Sequence, residues 1–439
     1  MRDHRAQSLL AVRRAPLAIV AAALGLVLVP ALAGRAAAQQ GVVERVTFDD
    51  AVRRAVTRNP EVAEAAQAIL RAEALLQQAA TVFRPTIAGS VTTTVLDAAR
   101  GFDEFVTQPQ TQALVGLSLS YAVLAPSRWA AHAQAGDQVR VARATTDEVR
   151  RQIAVAAAQA YLTVIAQQRQ VEVNELAVEN ARAHLDYARA RLEGGLGSRL
   201  NELRAAQELA TSEVLLESAR LALRRAQEAL GVLIASDGPV DAAGEPVLEA
   251  ALAPEDEQWL DDRTDVRLFE AQVQAATRVY RDSWLDWVPT ATAAFEPQLL
   301  TPAGLFAPSR SWRGVLSISI PIFDAGTRRV ARRQREIAVQ TARIQLSDVE
   351  LRARAERRAA EAAVESSERA LQRARDAARN AAEVLRITDI AFRAGATTNI
   401  ELIDAQRRAR EADTAAAQAE DRLRQARLEL LVALGRFPQ

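Results

Sequence analysis

The chain has 439 residues, a formal net charge of zero, no cysteine and no lysine, and only 4% of its residues are aromatic. Neutrality removes any whole-chain electrostatic argument for nucleic acid or another polyanion as partner. The missing cysteine excludes disulfides, thiol chemistry and a lipid-modified N-terminal cysteine. A composition dominated by alanine, arginine, glutamate, leucine and glutamine signals long helices and coiled coils rather than a thick globular core.

Residues 1–38 read as a targeting segment. Arg2, Arg5, Arg13 and Arg14 form a basic start, "APLAIVAAALGLVLVPALAG" supplies the apolar run, and "AAAQQ" offers a small-residue cleavage site after Ala38. The alternative is a retained N-terminal anchor, but Pro30, the short apolar core and the A-x-A ending favour a cleaved signal peptide and an exported mature chain. No later segment has 18 consecutive apolar residues, so no membrane-spanning helix is predicted.

From there the chain reads twice. "NPEVAEAAQAILRAEALLQQAATVFRP" (59–85) is answered by "RTDVRLFEAQVQAATRVYRDSWLDWVP" (263–289), and "LSLSYAVLAPSRW" (117–129) by "LSISIPIFDAGTR" (316–328). "GGLGSRLNELRAAQ" (194–207) is answered by "AGATTNIELIDAQ" (394–406). Three matches in one order predict a tandem duplication, with repeats at 39–240 and 264–439 joined by a linker at 241–263. The Pro-, Gly- and acid-rich stretch 236–263 is expected to lie outside the helical rod.

Each repeat predicts a helix, two strands, a very long helix, a short break and a return helix. The strands fall at about 84–97 and 110–124, then about 287–300 and 310–323. Val115, Leu117, Leu119, Tyr121 and Val123 alternate with small or polar residues, as do Leu316, Ile318, Ile320 and Ile322. Period-two alternation means one apolar face and one polar face. Such a hairpin fits a small sheet on a soluble core or a transmembrane β-hairpin, and the strands alone leave both open.

The helices carry a different period. From Ile153 through Ala157, Ala160 and Val164 to Leu185, Ala188 and Leu192, positions alternate four and three apart and ten of the twelve are apolar, Gln167 and Asn174 excepted; the same stepping runs from Leu402 and Ala405 to Leu430 and Ala433. A sustained 3.5-residue period is a coiled-coil signature, and alanine seams allow close approach. The long helices at 127–193 and 326–393 are each roughly 100 Å long at about 1.5 Å per residue. Rods of that length must pack against their own return helices and against neighbouring chains.

Nothing supports an enzyme or a cofactor. His132 and His184 are the only histidines beyond the targeting segment and no cysteine can join them on a metal; no P-loop, dinucleotide fingerprint or nucleophile–base–acid trio is present. The carboxylates sit at solvated helical spacings among arginines. Glu401 and Asp404 follow the second break, where first-turn acids suit a helix N-terminus, and the glycines of both breaks suit a plain helix stop.

Signal peptide, duplicated halves and the break "AGATTNIELIDAQ", supported by "LSISIPIFDAG" and "NPEV", together resemble the TolC-type outer-membrane efflux proteins over about 45–437. The resemblance implies a mostly α fold with a small β part: a trimeric α-barrel of long coiled-coil helices, continuous with a twelve-stranded outer-membrane β-barrel to which each protomer gives four strands. It implies a passive exit channel of a tripartite efflux or type I secretion system in a Gram-negative outer membrane, reaching into the periplasm. Small molecules or polypeptides would be driven through it by an inner-membrane transporter of RND or ABC type acting through a periplasmic adaptor. Loops at about 98–109 and 301–309 would face outside, and both breaks would be periplasmic tips. Gly195, Leu196, Gly395 and Ala396 match the adaptor-contacting turns; Ile400, Glu401 and Asp404 match the periplasmic gate. Where some members carry a locking arginine, Thr397 stands here, and Arg199, Asn201, Glu202 and Arg204 are substitute partners in the first repeat. The alternative from another class is a soluble periplasmic coiled-coil scaffold or adaptor without a barrel.

Overall fold

The structure, a computed structural model, describes residues 43–102, 105–248 and 258–437. The expected signal peptide, the middle of the expected linker and the apex of the first outer loop lie outside the described residues.

The chain enters through a short strand, β1 (Glu44–Val46), and two helices, α1 (Phe48–Arg58) and α2 (Pro60–Ala80). One residue makes the joint between them. Asn59 ends α1, its side chain accepts from the backbone N–H of Glu61 to cap α2, and Pro60 occupies the first helical position, where a missing N–H costs nothing. The strands follow: β2 (Thr86–Val95), a small hairpin of β3 (Arg100–Phe102) and β4 (Phe105–Gln108), and β5 (Thr111–Leu124). A helix of 68 residues, α3 (Pro126–Glu193), turns into α4 (Arg199–Leu233). The second half repeats the order after β6 (Val240–Ala242): α5 (Gln258–Asp262), α6 (Thr264–Arg281), β7 (Thr290–Thr301), β8 (Arg310–Ser319), the 67-residue α7 (Thr327–Arg393) and α8 (Asn399–Ala433).

Three details differ from the sequence reading. The last strand stops at Ser319 rather than near 323, because Pro321 has no N–H to give a ladder. The outer loop near 98–109 is itself paired as β3 and β4. The described ends of the stretch read as lying outside the rod fold onto its flank: β6 runs parallel to β1, Glu44 opposite Val240, and Trp259 and Leu260 are buried with Val266 and Ala353.

Each long helix packs against its return helix, and α3 also touches α8. None of the apolar seam positions stepping from Ile153 to Leu192, or from Leu402 to Ala433, is exposed. Exposed ion pairs such as Arg375–Glu420 (3.0 Å) and Arg427–Glu368 (3.1 Å) cross the second hairpin; pairs of this kind typically contribute under about 1 kcal/mol each. The seam, not the charges, joins the helices.

The thickest core lies near the middle of α3, where α1, β1, β6 and the ends of α4 and α8 converge. Tyr161 is fully buried there. Its hydroxyl donates to the carbonyl oxygens of Gly244 (2.8 Å) and Val46 (3.2 Å), and its ring meets Phe48 edge-on at 5.5 Å. In the second half a buried arginine ties three elements together: Arg263 donates to Asp265 (2.7 Å), to Glu356 on α7 (2.9 Å) and to the Ala433 carbonyl (3.2 Å). Burial works against the charge of Asp265, but Arg263 holds its carboxyl below the usual range.

Arg263→Ala leaves that carboxylate buried without its partner, at an expected cost of roughly 3 kcal/mol. Thermal denaturation of the detergent-purified protein checks this: a clear drop in the midpoint is expected for Arg263→Ala and almost none for Glu368→Ala. Equal midpoints would remove Arg263 as the tie.

Candidate functional site

The two helical tips are built alike. At the first, Gly195 (φ 73°) sits in the left-handed region, its N–H donates to the Leu192 carbonyl, and the Leu196 N–H donates to Arg191. At the second, Gly395 (φ 77°) donates to Phe392 and Ala396 donates to Ala391. Both are Schellman motifs, in which only a residue without a Cβ takes the left-handed position without strain. Leu196 is exposed at its apex. The return helices are then capped by Ser198, which accepts from Asn201 N–H, and by Thr398, which accepts from Glu401 N–H at 3.3 Å while Glu401 Oε2 accepts from Thr398 N–H at 3.3 Å. Glu401 therefore has a local task as half of a capping box.

One turn further on, Asp404 accepts from Arg407 (2.6 Å) and pairs with Arg408 (2.8 Å) on its own helix. Ile400, one residue before Glu401, is exposed. Gly395, Ala396, Ile400, Glu401 and Asp404 thus share one tip, and Gly195 and Leu196 sit on the other. Thr397 makes no side-chain hydrogen bond among the described residues. Of the substitute partners, Glu202 pairs with Arg199 (2.5 Å) and Arg189 (3.6 Å), all within the first hairpin.

The tie between the hairpins runs through His184 and Asn399, to which the sequence reading gave no role, and through Asn201, one of its substitute partners. His184 and Asn399 are both buried; His184 Nε2 donates to Asn399 Oδ1 at 2.7 Å, and Asn399 Nδ2 donates to the Asn201 carbonyl at 3.4 Å. Phe392 lies against His184 (5.4 Å) and Tyr187 (5.7 Å), and the guanidiniums of Arg191 and Arg393 each stand 5.9 Å from the Tyr187 ring. Burial pushes the His184 imidazole below its ordinary value, against the Asn399 hydrogen bond and the charge of Asp389, which is itself paired with Arg393 at 2.9 Å. Further along, Arg410 on α8 reaches Glu208 (3.3 Å) and Ser212 (3.2 Å) on α4. The available signal was a lone histidine beside Leu185, on the buried seam of α3.

At the other end the four-stranded sheet runs β2–β5–β7–β8, all antiparallel, with β2 and β8 at its edges. Register sorts its side chains. Ile87, Leu119 and Phe295 fall in one row, Val91, Val115 and Leu299 in another, and Trp312, Leu316 and Ile318 continue that face on β8. All nine are exposed. The opposite face carries mostly threonines, serines and alanines, with Leu114, Leu300 and Val315 its larger apolar members and Gln112, Gln298, Glu296 and Arg313 its larger polar ones. An apolar sheet face left bare is foreign to a water-soluble monomer and fits lipid. Among the described residues no helix is long and apolar enough to cross a membrane, and no group of metal-ligating side chains gathers.

The fold recurs in known proteins. The fold is similar to the CmeC outer membrane channel of Campylobacter jejuni (15% identity, TM-score 0.77, covering 89% of this chain and 85% of that one). It is also similar to the open state of the MtrE outer membrane channel of Neisseria gonorrhoeae (20%, 0.76, 89% and 90%) and to the outer membrane protein VceC of Vibrio cholerae (18%, 0.73, 88% and 96%). No curated protein matches the sequence. The model of the family described as outer membrane efflux protein matches residues 51–236 and 257–436, one segment in each half. With both halves matched and the fold in agreement, the chain belongs to the outer membrane efflux protein family.

Proposed function

We propose that three copies of this chain form a passive exit duct across the outer membrane and into the periplasm of a Gram-negative cell. The observation that carries this reading is the sheet, which has two open edges and one bare apolar face. A sheet edge in lipid leaves backbone N–H and C=O groups unpaired, and closure is the only remedy. Four strands are too few to close alone; three copies give twelve. A second feature supports a neighbour along the rod: Val330, Ile337, Ile344 and Leu351 step by seven along α7 and are all exposed, an unpartnered seam suited to another chain.

In this reading the energy comes from an inner-membrane transporter of RND or ABC type, coupled through a periplasmic adaptor that docks on Gly195, Leu196, Gly395 and Ala396. Ile400 and Asp404 supply a hydrophobic and an acidic ring at the periplasmic mouth, while Glu401 serves the cap. Like carboxylates close together attract cations and so bias a narrow pore; Arg407 and Arg408 moderate that field. The hairpins are latched at rest by His184, Asn399 and Asn201 in place of the arginine that Thr397 replaces. The family membership, the shape of the tips and the buried polar tie support this arrangement. A soluble periplasmic scaffold has no use for a bare apolar sheet.

Cell fractionation and cross-linking test the duct: recovery in the outer membrane as a cross-linkable trimer is expected, and recovery only in the soluble periplasm would sink it. In planar bilayers, Asp404→Ala is expected to lower cation preference at least about twofold; unchanged conductance and selectivity would remove Asp404 from the constriction. The latch has a pH signature. Folded burial disfavours the imidazolium, so the closed tip is fully stabilised above the ordinary histidine value of about 6.5 and loses that contribution as pH falls below it. Open probability should rise as pH falls below about 6.5 in the parent and stay flatter in His184→Gln; identical pH profiles would refute the latch.

A further inference from the structure

The polar face of the sheet carries charge at one level only. Among the described residues of β2, β5, β7 and β8, its charged side chains are Glu296 and Arg313. The register puts them directly opposite each other, near the middle of their strands. They are paired: the Arg313 Nε donates to Glu296 Oε2 at 3.0 Å and its Nη2 donates to the same oxygen. Arg313 Nη1 and Glu296 Oε1 are left over, and the side chains are 64% and 31% exposed. A small uncharged residue at either position would continue the same face as the surrounding serines and threonines.

If the apolar face meets lipid, this face lines the water-filled lumen, so the inference rests on the duct proposed above. We propose that Glu296 and Arg313, repeated in each protomer, form a single charged belt around the membrane-spanning lumen that determines how charged solutes pass it. Its ligand class is the charged group of a solute in transit. The spare guanidinium edge of Arg313 faces carboxylate, sulfonate or phosphate groups, and the spare oxygen of Glu296 faces ammonium groups. Because the partners cancel, the belt offers specific contacts without a net field. Removing one partner would leave uncompensated charges around a narrow low-dielectric wall, which focuses their potential on the pore. This belt is separate from the tip acids, at the far end of the long helices, and acts on cargo that has already passed them.

The absence of native cysteine makes the test clean, because an introduced thiol is the chain's only one. Ala294 lies two residues from Glu296 on the same face, about 7 Å away along the strand, within the screening length of about 8 Å at physiological ionic strength. Ala294→Cys in outer-membrane vesicles is labelled with a cationic and an anionic methanethiosulfonate of similar size, and the ratio of the two rates reads the local potential independently of the tips. Adding Arg313→Gln is expected to raise the cationic-to-anionic ratio at least about threefold, and adding Glu296→Gln to lower it by a similar factor. The double variant should return near the parent. It also guards against loss of the pair merely disturbing the strands, since it lacks the pair but keeps the balance. Ratios unmoved by either single change, or moved in the same direction by both, would overturn the belt. Leu117→Cys, on the apolar face, separates the two proposals. If it is labelled by these membrane-impermeant reagents while Ala294→Cys is not, the lumen assignment and the duct itself fail.

Discussion

A four-stranded sheet with a bare apolar face cannot exist alone in either solvent. In water the face is unsatisfied, and in lipid the edges are. Ile87, Val91, Leu119, Phe295 and Trp312 stand exposed, and β2 and β8 have no further strand beside them. Both defects are removed by one arrangement, in which lipid takes the face and identical sheets take the edges. The rest of the molecule is compatible with that arrangement because it places little at the sheet that would obstruct it: the helices leave the strands at one end, and the paired outer loop leaves at the other.

The helical part meets a different difficulty by different means. A rod of 68 residues has far more surface than a single partner helix can cover. Alanine at the seam brings the helices close and buries little per residue, so cohesion is spread along the whole length. Where something stronger is needed, the chain concentrates it: the Tyr161 core at mid-rod, Arg263 in the second half, and His184 with Asn399 near the tips. These points are polar or aromatic, directional, and few. The bundle is thus held along each hairpin by its small seam and joined between hairpins at these separate levels.

Much of this was legible in the residues. The alternation of Val115 to Val123 marked the face that is bare, and the three-and-four stepping from Ile153 and from Leu402 marked the faces that are covered, because both periods report directly on geometry. What escaped had no period. β1 and β6 are three residues each and show no alternation, so their pairing was invisible and the stretch after α4 read as a linker. Pro321 interrupted an alternation that Ile320 and Ile322 continued on paper. At the site, the tips announced themselves through glycine, but His184 did not: its partner Asn399 lies in the other repeat, and only the folded chain brings them within 2.7 Å. The pairing of Glu296 with Arg313 was hidden in the same way, by a register that no single strand contains.

The parallel pairing of β1 with β6 has a temporal side. Glu44 begins the first element of the described chain, yet its partner Val240 comes after the whole first helical hairpin. Contacts so distant along the chain bear a large loop-closure entropy and form late. The two termini of the first repeat are therefore buckled together only once that hairpin has folded between them. In a polypeptide built this way the hairpin comes first and the girdle closes last.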